Sequence, residues 1–204
     1  IRELLMDEDE EFGELIQLEE GQLTKFDAII ATGSGNSARY FRYYFGKYPH
    51  IIRKNRYSTA ILTGKESMEN ISELSVDIFS YFGLGCRNVT KLYLPDKMDI
   101  KEIIPGFDTH AWLIDHHKYA NNYTYHKAIK LMNREEFLDN GFLLLSGNPK
   151  LNSPVSCLHY EIYKTEAELH SLLSSEKEHT QCIVSNHYSN MPAVPFGMAQ
   201  FPEP

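Results

Sequence analysis

The sequence predicts an α/β fold, and three observations predict it. Short apolar runs such as 26–32 and 88–95 alternate with longer stretches of helical period such as 67–82. Breaks bearing glycine or proline separate them, at Gly33–Asn36, at Gly46–Pro49 and at Gly83–Cys86. No internal repeat or low-complexity segment interrupts the alternation.

In chain order, residues 2–11 are acidic and read as a helix or frayed end. "ELIQL" (14–18) reads as a short strand. Phe26–Thr32 is expected to be a buried strand because its apolar run is continuous. The next helix should start near Ser34–Asn36, where both named residues cap well, and stop at Gly46-Lys47-Tyr48-Pro49. "HIIRK" (50–54) and "STAILTG" (58–64) read as strands around a basic turn. Residues 67–82 place Ile71, Leu74, Ile78, Phe79 and Phe82 on one helical face. "NVTKLYLP" (88–95) is a strand, 118–132 a helix and "FLLL" (142–145) a strand. "SCLHYEIYK" (156–164) alternates as a strand does. "EAELHSLLSS" (166–175) is an amphipathic helix, and "QCIVS" (181–185) a last strand.

The composition suits a globular protein, with 42% hydrophobic and 24% charged residues. A net charge of −8 argues against binding to duplex DNA or anionic membranes, which favour basic surfaces. No apolar run is long enough to span a bilayer, and no signal-peptide pattern is present. The three cysteines, Cys86, Cys157 and Cys182, form neither a disulfide framework nor a zinc pattern, so a reducing, cytoplasmic compartment is expected. The chain opens at Ile1 without methionine and stops at Pro204 in a turn-like stretch. It therefore reads as a fragment of a longer protein.

Three stretches could carry chemistry. Gly33-x-Gly35-x-x-Ala38 fits the loose dinucleotide pattern between a strand and a helix, where backbone N–H groups can hold a phosphate. The acidic residue that completes that fingerprint is missing, and a plain strand-to-helix turn is the alternative. Cys86 sits at the glycine-rich break Gly83-Leu84-Gly85. That setting would leave its thiol accessible, and Arg87 or a nearby helix end would favour the thiolate. A buried structural cysteine is the alternative, and the one favoured for Cys157 and Cys182. Asp115-His116-His117 resembles the metal motif of DHH-type phosphoesterases, but no paired aspartates accompany it and Asp108 and His110 are its only close company. A polar helix start is the alternative there. The tyrosine-phosphatase signature is excluded, since position 92 is leucine and not arginine.

Taken in order, these pieces resemble the aldehyde dehydrogenase superfamily. Thr32-Gly33-Ser34 resembles the start of its cofactor-facing helix, and Gly83-Leu84-Gly85-Cys86 its nucleophile loop. "NSPVSCLHYEIYKTEAELHSLLSS" with "QCIVS" resembles its "FGPV" strand, helix and returning strand. Within the superfamily the chain is similar to LuxC-type acyl-CoA reductases, through "ATGSGNSARYF", "PHIIRKNR", "YFGLGCRNV", "NNYTYHKAI" and "PFGMAQ". The resemblance implies an aldehyde-dehydrogenase-like catalytic domain, residues 53–204, preceded by the tail of a Rossmann-type cofactor domain, residues 1–52. It implies reduction of a long-chain acyl-CoA or other acyl thioester to the aldehyde through an acyl-cysteine at Cys86. NADPH or NADH would be held by Gly33, Ser34, Gly35 and Asn36, and no metal is expected. It further implies an acyl-donating partner protein and a homo-oligomer when full length. Two positions depart from the wider superfamily: its base glutamate aligns near Ile52, and its ribose-holding glutamate near Lys150. The rival readings are a DHH-like metal phosphoesterase and a non-catalytic α/β interaction domain.

Overall fold

The computed structural model describes residues 2–23 and 25–202. They form two compact units that divide between Lys54 and Asn55. No helix among the described residues is long and apolar enough to cross a membrane.

The first unit opens with two short helices, α1 (Arg2–Glu8) and α2 (Phe12–Leu15). Residues 14–18 are therefore not a strand: they pair with none, and the Arg2 guanidinium takes the carbonyls of Gly13 (2.9 Å) and Ile16 (3.0 Å) instead. β1 (Ile29–Thr32) then runs parallel to β2 (His50–Arg53), with α3 (Gly35–Phe45) as the crossover. β1 starts three residues later than its apolar run suggests, because Phe26 packs edge-on to Phe45 and Tyr48. Nor is β1 buried throughout. Ile30 and its ladder partner Ile51 are exposed, since this two-stranded sheet has a single crossover helix to cover it. Ile52 is half-buried in β2, opposite Ala31.

The second unit is built on a six-stranded sheet in the order β5-β6-β7-β4-β3-β8. Its members are β3 (Tyr57–Ile61), β4 (Val89–Pro95), β5 (Leu138–Asp139), β6 (Leu144–Gly147), β7 (Cys157–Tyr163) and β8 (Thr180–Val184). All neighbours are parallel except β5 and β6. Alternate strand residues feed two apolar layers, as helices on both faces of a parallel sheet require. Ala60, Leu92, Leu94, Leu145 and Leu158 pack under α4 (Met68–Phe79), which contributes Ile71, Leu74, Ile78 and Phe79. Ile61, Tyr93 and Tyr163 pack under α6 (Glu166–Glu176), through Leu169 and Leu173. α5 (His117–Met132) follows a run of 3-10 turns over Ile100–Asp115 that the sequence did not signal, and β5 went unsignalled as well. That run crosses α4 closely: a Cβ on Gly106 would lie 2.5 Å from Ile71 Cγ2.

Other boundaries move as well; the strand expected over 58–64 runs over 57–61. The helix expected over 67–82 ends at Phe79, for reasons given below. It begins with a capping box, in which Ser67 Oγ accepts from Asn70 N–H while Asn70 Oδ1 accepts from Ser67 N–H. The strand expected over 142–145 lies at 144–147, because Asn140 Oδ1 holds the N–H groups of Phe142 (3.3 Å) and Leu143 (2.8 Å) in a turn. The last strand, expected over 181–185, runs over 180–184.

A row of buried polar side chains crosses β6, β7, β4 and β3: Ser146, His159, Lys91 and Thr59. The Lys91 ammonium meets Glu161 (2.7 Å) and Glu176 (3.0 Å), and Tyr93 donates to Glu176. Lys91 and His159 of this row, together with Thr90, also anchor the segment before β7. Lys91 Nζ donates to Pro149 O (2.7 Å) and Thr90 Oγ1 to Leu151 O (2.8 Å). Burial pushes the His159 imidazole down and keeps it neutral, and its Nδ1–H donates to Lys150 O at 2.9 Å. Three successive carbonyls are thus held by three side chains.

Candidate active site

Cys86 lies three residues before β4, so it stands at the amino-terminal edge of the parallel sheet. Open α/β sheets more often bind ligands at the carboxyl edge. A cleft of about 470 Å³ does lie at that carboxyl edge, beside Thr63, Gly64, Pro95 and Lys97. Of its two carboxylates, Glu66 and Glu102, the first is already taken up by the N–H groups of Thr63 and Gly64 and by the Thr63 hydroxyl.

The loop that presents Cys86 is strained. Tyr81 (φ 53°), Phe82 (φ 61°) and Gly83 (φ 72°) are three successive left-handed residues, and two of them are aromatic. Each non-glycine residue in that region costs roughly 1–2 kcal/mol, so the turn persists only because its surroundings fix it. This is what ends α4 at Phe79. The surroundings are specific. Asn88 is fully buried, and its Nδ2 donates to Asp77 O (3.0 Å) and Ser80 O (2.8 Å) while its Oδ1 accepts from Gly85 N–H (2.8 Å). One amide therefore closes the carboxyl end of α4 and holds the residue before the cysteine. Ser58 Oγ donates to Cys86 O at 3.1 Å, and Arg87 Nε donates to Ala199 O. Asp77, also fully buried, accepts from Gly197 N–H (2.7 Å) and Ala199 N–H (2.9 Å), which docks the 195–200 turn on α4. Burial, with a smaller push from Glu73, raises the Asp77 carboxyl from its ordinary 3.8 to about 6, against the pull of those two N–H groups.

Cys86 itself is exposed, and neither its thiol nor its backbone N–H bonds to any described residue. The helix end that precedes it is a carboxyl end, so the expected help of a helix dipole to a thiolate is not met. The expected help of Arg87 is also redirected, since its Nε serves Ala199 O. Cys157 is buried, and burial pushes its thiol up to about 11. Cys182 is half-buried, is raised by the same cause, and donates to Ser58 Oγ at 3.1 Å.

Asp115-His116-His117 joins the end of the 3-10 run to the start of α5, with His116 as the N-cap. His116 lies against the Phe82 ring (4.4 Å between centroids) and borders a cleft of about 420 Å³ with Phe82, Leu84, Tyr119 and Val155. The structure thus brings the second and third candidate stretches side by side. His110 turns elsewhere, stacked on Phe79 with Nδ1 3.0 Å from Ser75 Oγ. No three His, Cys, Asp or Glu side chains converge as metal ligands among the described residues.

The glycine turn belongs to the first unit. Ser34 is the N-cap of α3, its Oγ accepting from Ser37 N–H at 3.2 Å. A Cβ on Gly33 would lie 2.7 Å from Ser37 Cβ, so this position must be glycine, whereas Gly35 has open space around it. Gly35 and Asn36 are exposed in the first turn of an eleven-residue helix, where N–H groups lack intrahelical partners.

Sequence reasoning missed Asn88, Asp77, Ser58 and the strained pair Tyr81–Phe82. Asp77 left a signal: a carboxylate three residues after Leu74 interrupts the apolar face of α4.

No family model and no curated protein sequence matches the chain. Solved structures do. An aldehyde dehydrogenase of Mycobacterium tuberculosis complexed with NAD+ superposes with a TM-score of 0.52 at 15% identity, over 72% of this chain and 38% of its own. The NAD-dependent aldehyde dehydrogenase of Sinorhizobium meliloti gives 0.56 at 10% identity, over 72% of this chain and 36% of its own. A bifunctional proline utilization A protein gives 0.55 at 15% identity, over 77% and 19%. The chain therefore spans less than two-fifths of the length of each. At these identities the likeness shows the fold: an α/β protein of aldehyde-dehydrogenase type.

Proposed function

We propose that this chain is part of an NAD(P)H-dependent acyl-CoA reductase of the LuxC type, which converts a long-chain acyl thioester to its aldehyde through an acyl-cysteine at Cys86. The observation that carries the reading is the setting of Cys86: an exposed thiol on a strained loop whose neighbours are each tied down, within a fold shared with NAD-binding aldehyde dehydrogenases.

The steps follow from that setting. The Cys86 thiolate attacks the thioester carbonyl, the C–S bond to coenzyme A breaks, and the departing thiolate takes a proton. The unpartnered Cys86 N–H is available to the oxyanion formed on the way, while Ser58, bonded to the carbonyl of the same residue, holds the peptide in place. The apolar cleft between Leu84, Phe82, Tyr119 and Val155 suits an acyl chain, and its volume is in the range of ligand pockets, roughly 300–1,000 Å³. The Gly33–Asn36 turn fits one phosphate of a dinucleotide, through the free first-turn N–H groups and the open space at Gly35. Bound there, NADPH or NADH would supply the hydride that releases the acyl group as aldehyde. Ile52, near which the resemblance places the base glutamate of acid-forming dehydrogenases, carries no proton acceptor to activate water.

The test is intact-mass analysis of the full-length protein with acyl-CoA and no cofactor. One acyl group should add to wild type, Cys157→Ala and Cys182→Ala, and none to Cys86→Ala. An adduct that survives in Cys86→Ala overturns the assignment. No adduct with any acyl-CoA favours a non-catalytic interaction domain.

A further inference from the structure

We propose that Asn88, Arg87 and Asp77 are positioning residues for Cys86: a buried amide and a docked turn set the angle of the thiol without touching substrate. This rests on the reading of Cys86 as nucleophile. The argument starts from strain. Two aromatic residues in left-handed geometry would relax to the ordinary region unless held. The holds lie on both sides of Cys86. Before it, Gly85 N–H is fixed by Asn88 Oδ1 at 2.8 Å, and that amide is itself fixed through Nδ2 to the end of α4. After it, Arg87 is fixed to Ala199 O, and Ala199 is fixed through its N–H to Asp77 on the same helix. Both holds return to the last turn of α4, so the loop is closed as a ring on one rigid element. The Cys86 thiol stays outside that ring of bonds. Attack on a carbonyl needs the sulfur at a defined distance and angle, and a displacement of about 1 Å can cost on the order of a hundredfold in rate.

The experiment compares two reactions of Cys86 in the full-length protein, both read by intact mass. Alkylation by iodoacetamide needs an accessible thiol; acylation by acyl-CoA also needs orientation. In Asn88→Ala acylation should slow on the order of a hundredfold. In Arg87→Ala and Asp77→Asn it should slow about tenfold. Alkylation should stay within about threefold of wild type in all three. Hydrogen exchange over residues 80–88 should speed up in each. Acylation at the wild-type rate in variants with native circular dichroism overturns the proposal, and so does an equal fall in both reactions. Should Asn88→Ala fail to fold, Arg87→Ala and Asp77→Asn decide by the same criteria. A wild type that is alkylated but never acylated sinks the acyl-transfer reading. Exchange over 80–88 then decides alone whether these residues hold the loop.

Discussion

Asp77→Asn gives the sharpest test of the buried network, because its effect has a sign that depends on pH. Asp77 titrates at about 6 in the folded protein, mainly because it is buried, against an ordinary 3.8. A carboxyl raised by folding binds protons more tightly in the folded state, so stability falls as pH rises from about 4 to 6 and is level above. With these two values, ionised Asp77 costs about 1 kcal/mol at pH 4.5 and about 3 kcal/mol at pH 7.5. Asparagine cannot ionise. It keeps one oxygen for Gly197 or Ala199 and leaves the other N–H without an acceptor, an offset of about 1–3 kcal/mol that does not vary with pH. The difference in unfolding free energy, wild type minus Asp77→Asn, should therefore shrink by about 2 kcal/mol between pH 4.5 and 7.5. Urea titrations at both pH values measure it, followed by the fluorescence of Trp112, the single tryptophan, which lies in the second unit. The histidines shifted by burial, such as His110 and His159, are present in both proteins and cancel. A difference that stays constant to within about 0.5 kcal/mol would mean that Asp77 is not held as a buried, desolvated carboxylate.

Further outcomes follow from other sites. Tyr81 is exposed and left-handed, so Tyr81→Gly should exceed Tyr81→Val in stability by about 1–2 kcal/mol in the same urea titrations. Lys91→Met leaves Glu161 and Glu176 without their ammonium and should cost about 3–5 kcal/mol; replacing both carboxylates in the same chain should recover part of it. Gly106→Ala forces a methyl group against Ile71 and should lower stability by about 1–3 kcal/mol, read as a fall in Tm. If Cys86 carries the proposed acyl-cysteine, Ile52→Glu in the full-length protein should release more fatty acid per aldehyde in single-turnover product analysis. Rapid acid release by the unmutated protein would show that another group serves as base.

Periodicity made the second unit's strands and helices legible, because its parallel strands are buried and its helices keep one apolar face. β4 and α6 fall within about a residue of their expected limits. Boundaries moved where side chains hold backbone: Asn140 delays β6, and the left-handed pair ends α4 while Phe82 still fits the helical period. The short strand expected at 14–18 failed because a few apolar residues say nothing about whether a neighbour exists to pair with. The exposure of Cys86 could be read from its glycines, but what surrounds it could not. Asn88 acts on carbonyls eight to eleven residues earlier, and Asp77 on N–H groups 120 and 122 residues later. No local pattern encodes such separations.

The grip of Lys91, His159 and Thr90 on the carbonyls of residues 149–151 separates two things that usually change together. All three bonds are to main chain, and Lys150 itself is exposed. The path of this segment is thus written largely in β4 and β7; of its own side chains Asn148 joins in, its Oδ1 accepting from Lys150 N–H at 2.9 Å. Position 150 can exchange lysine for glutamate, or for an apolar residue, while the backbone beneath it keeps its course. Such a position is free to vary: its side chain can change one substitution at a time, with little change in stability to constrain the order.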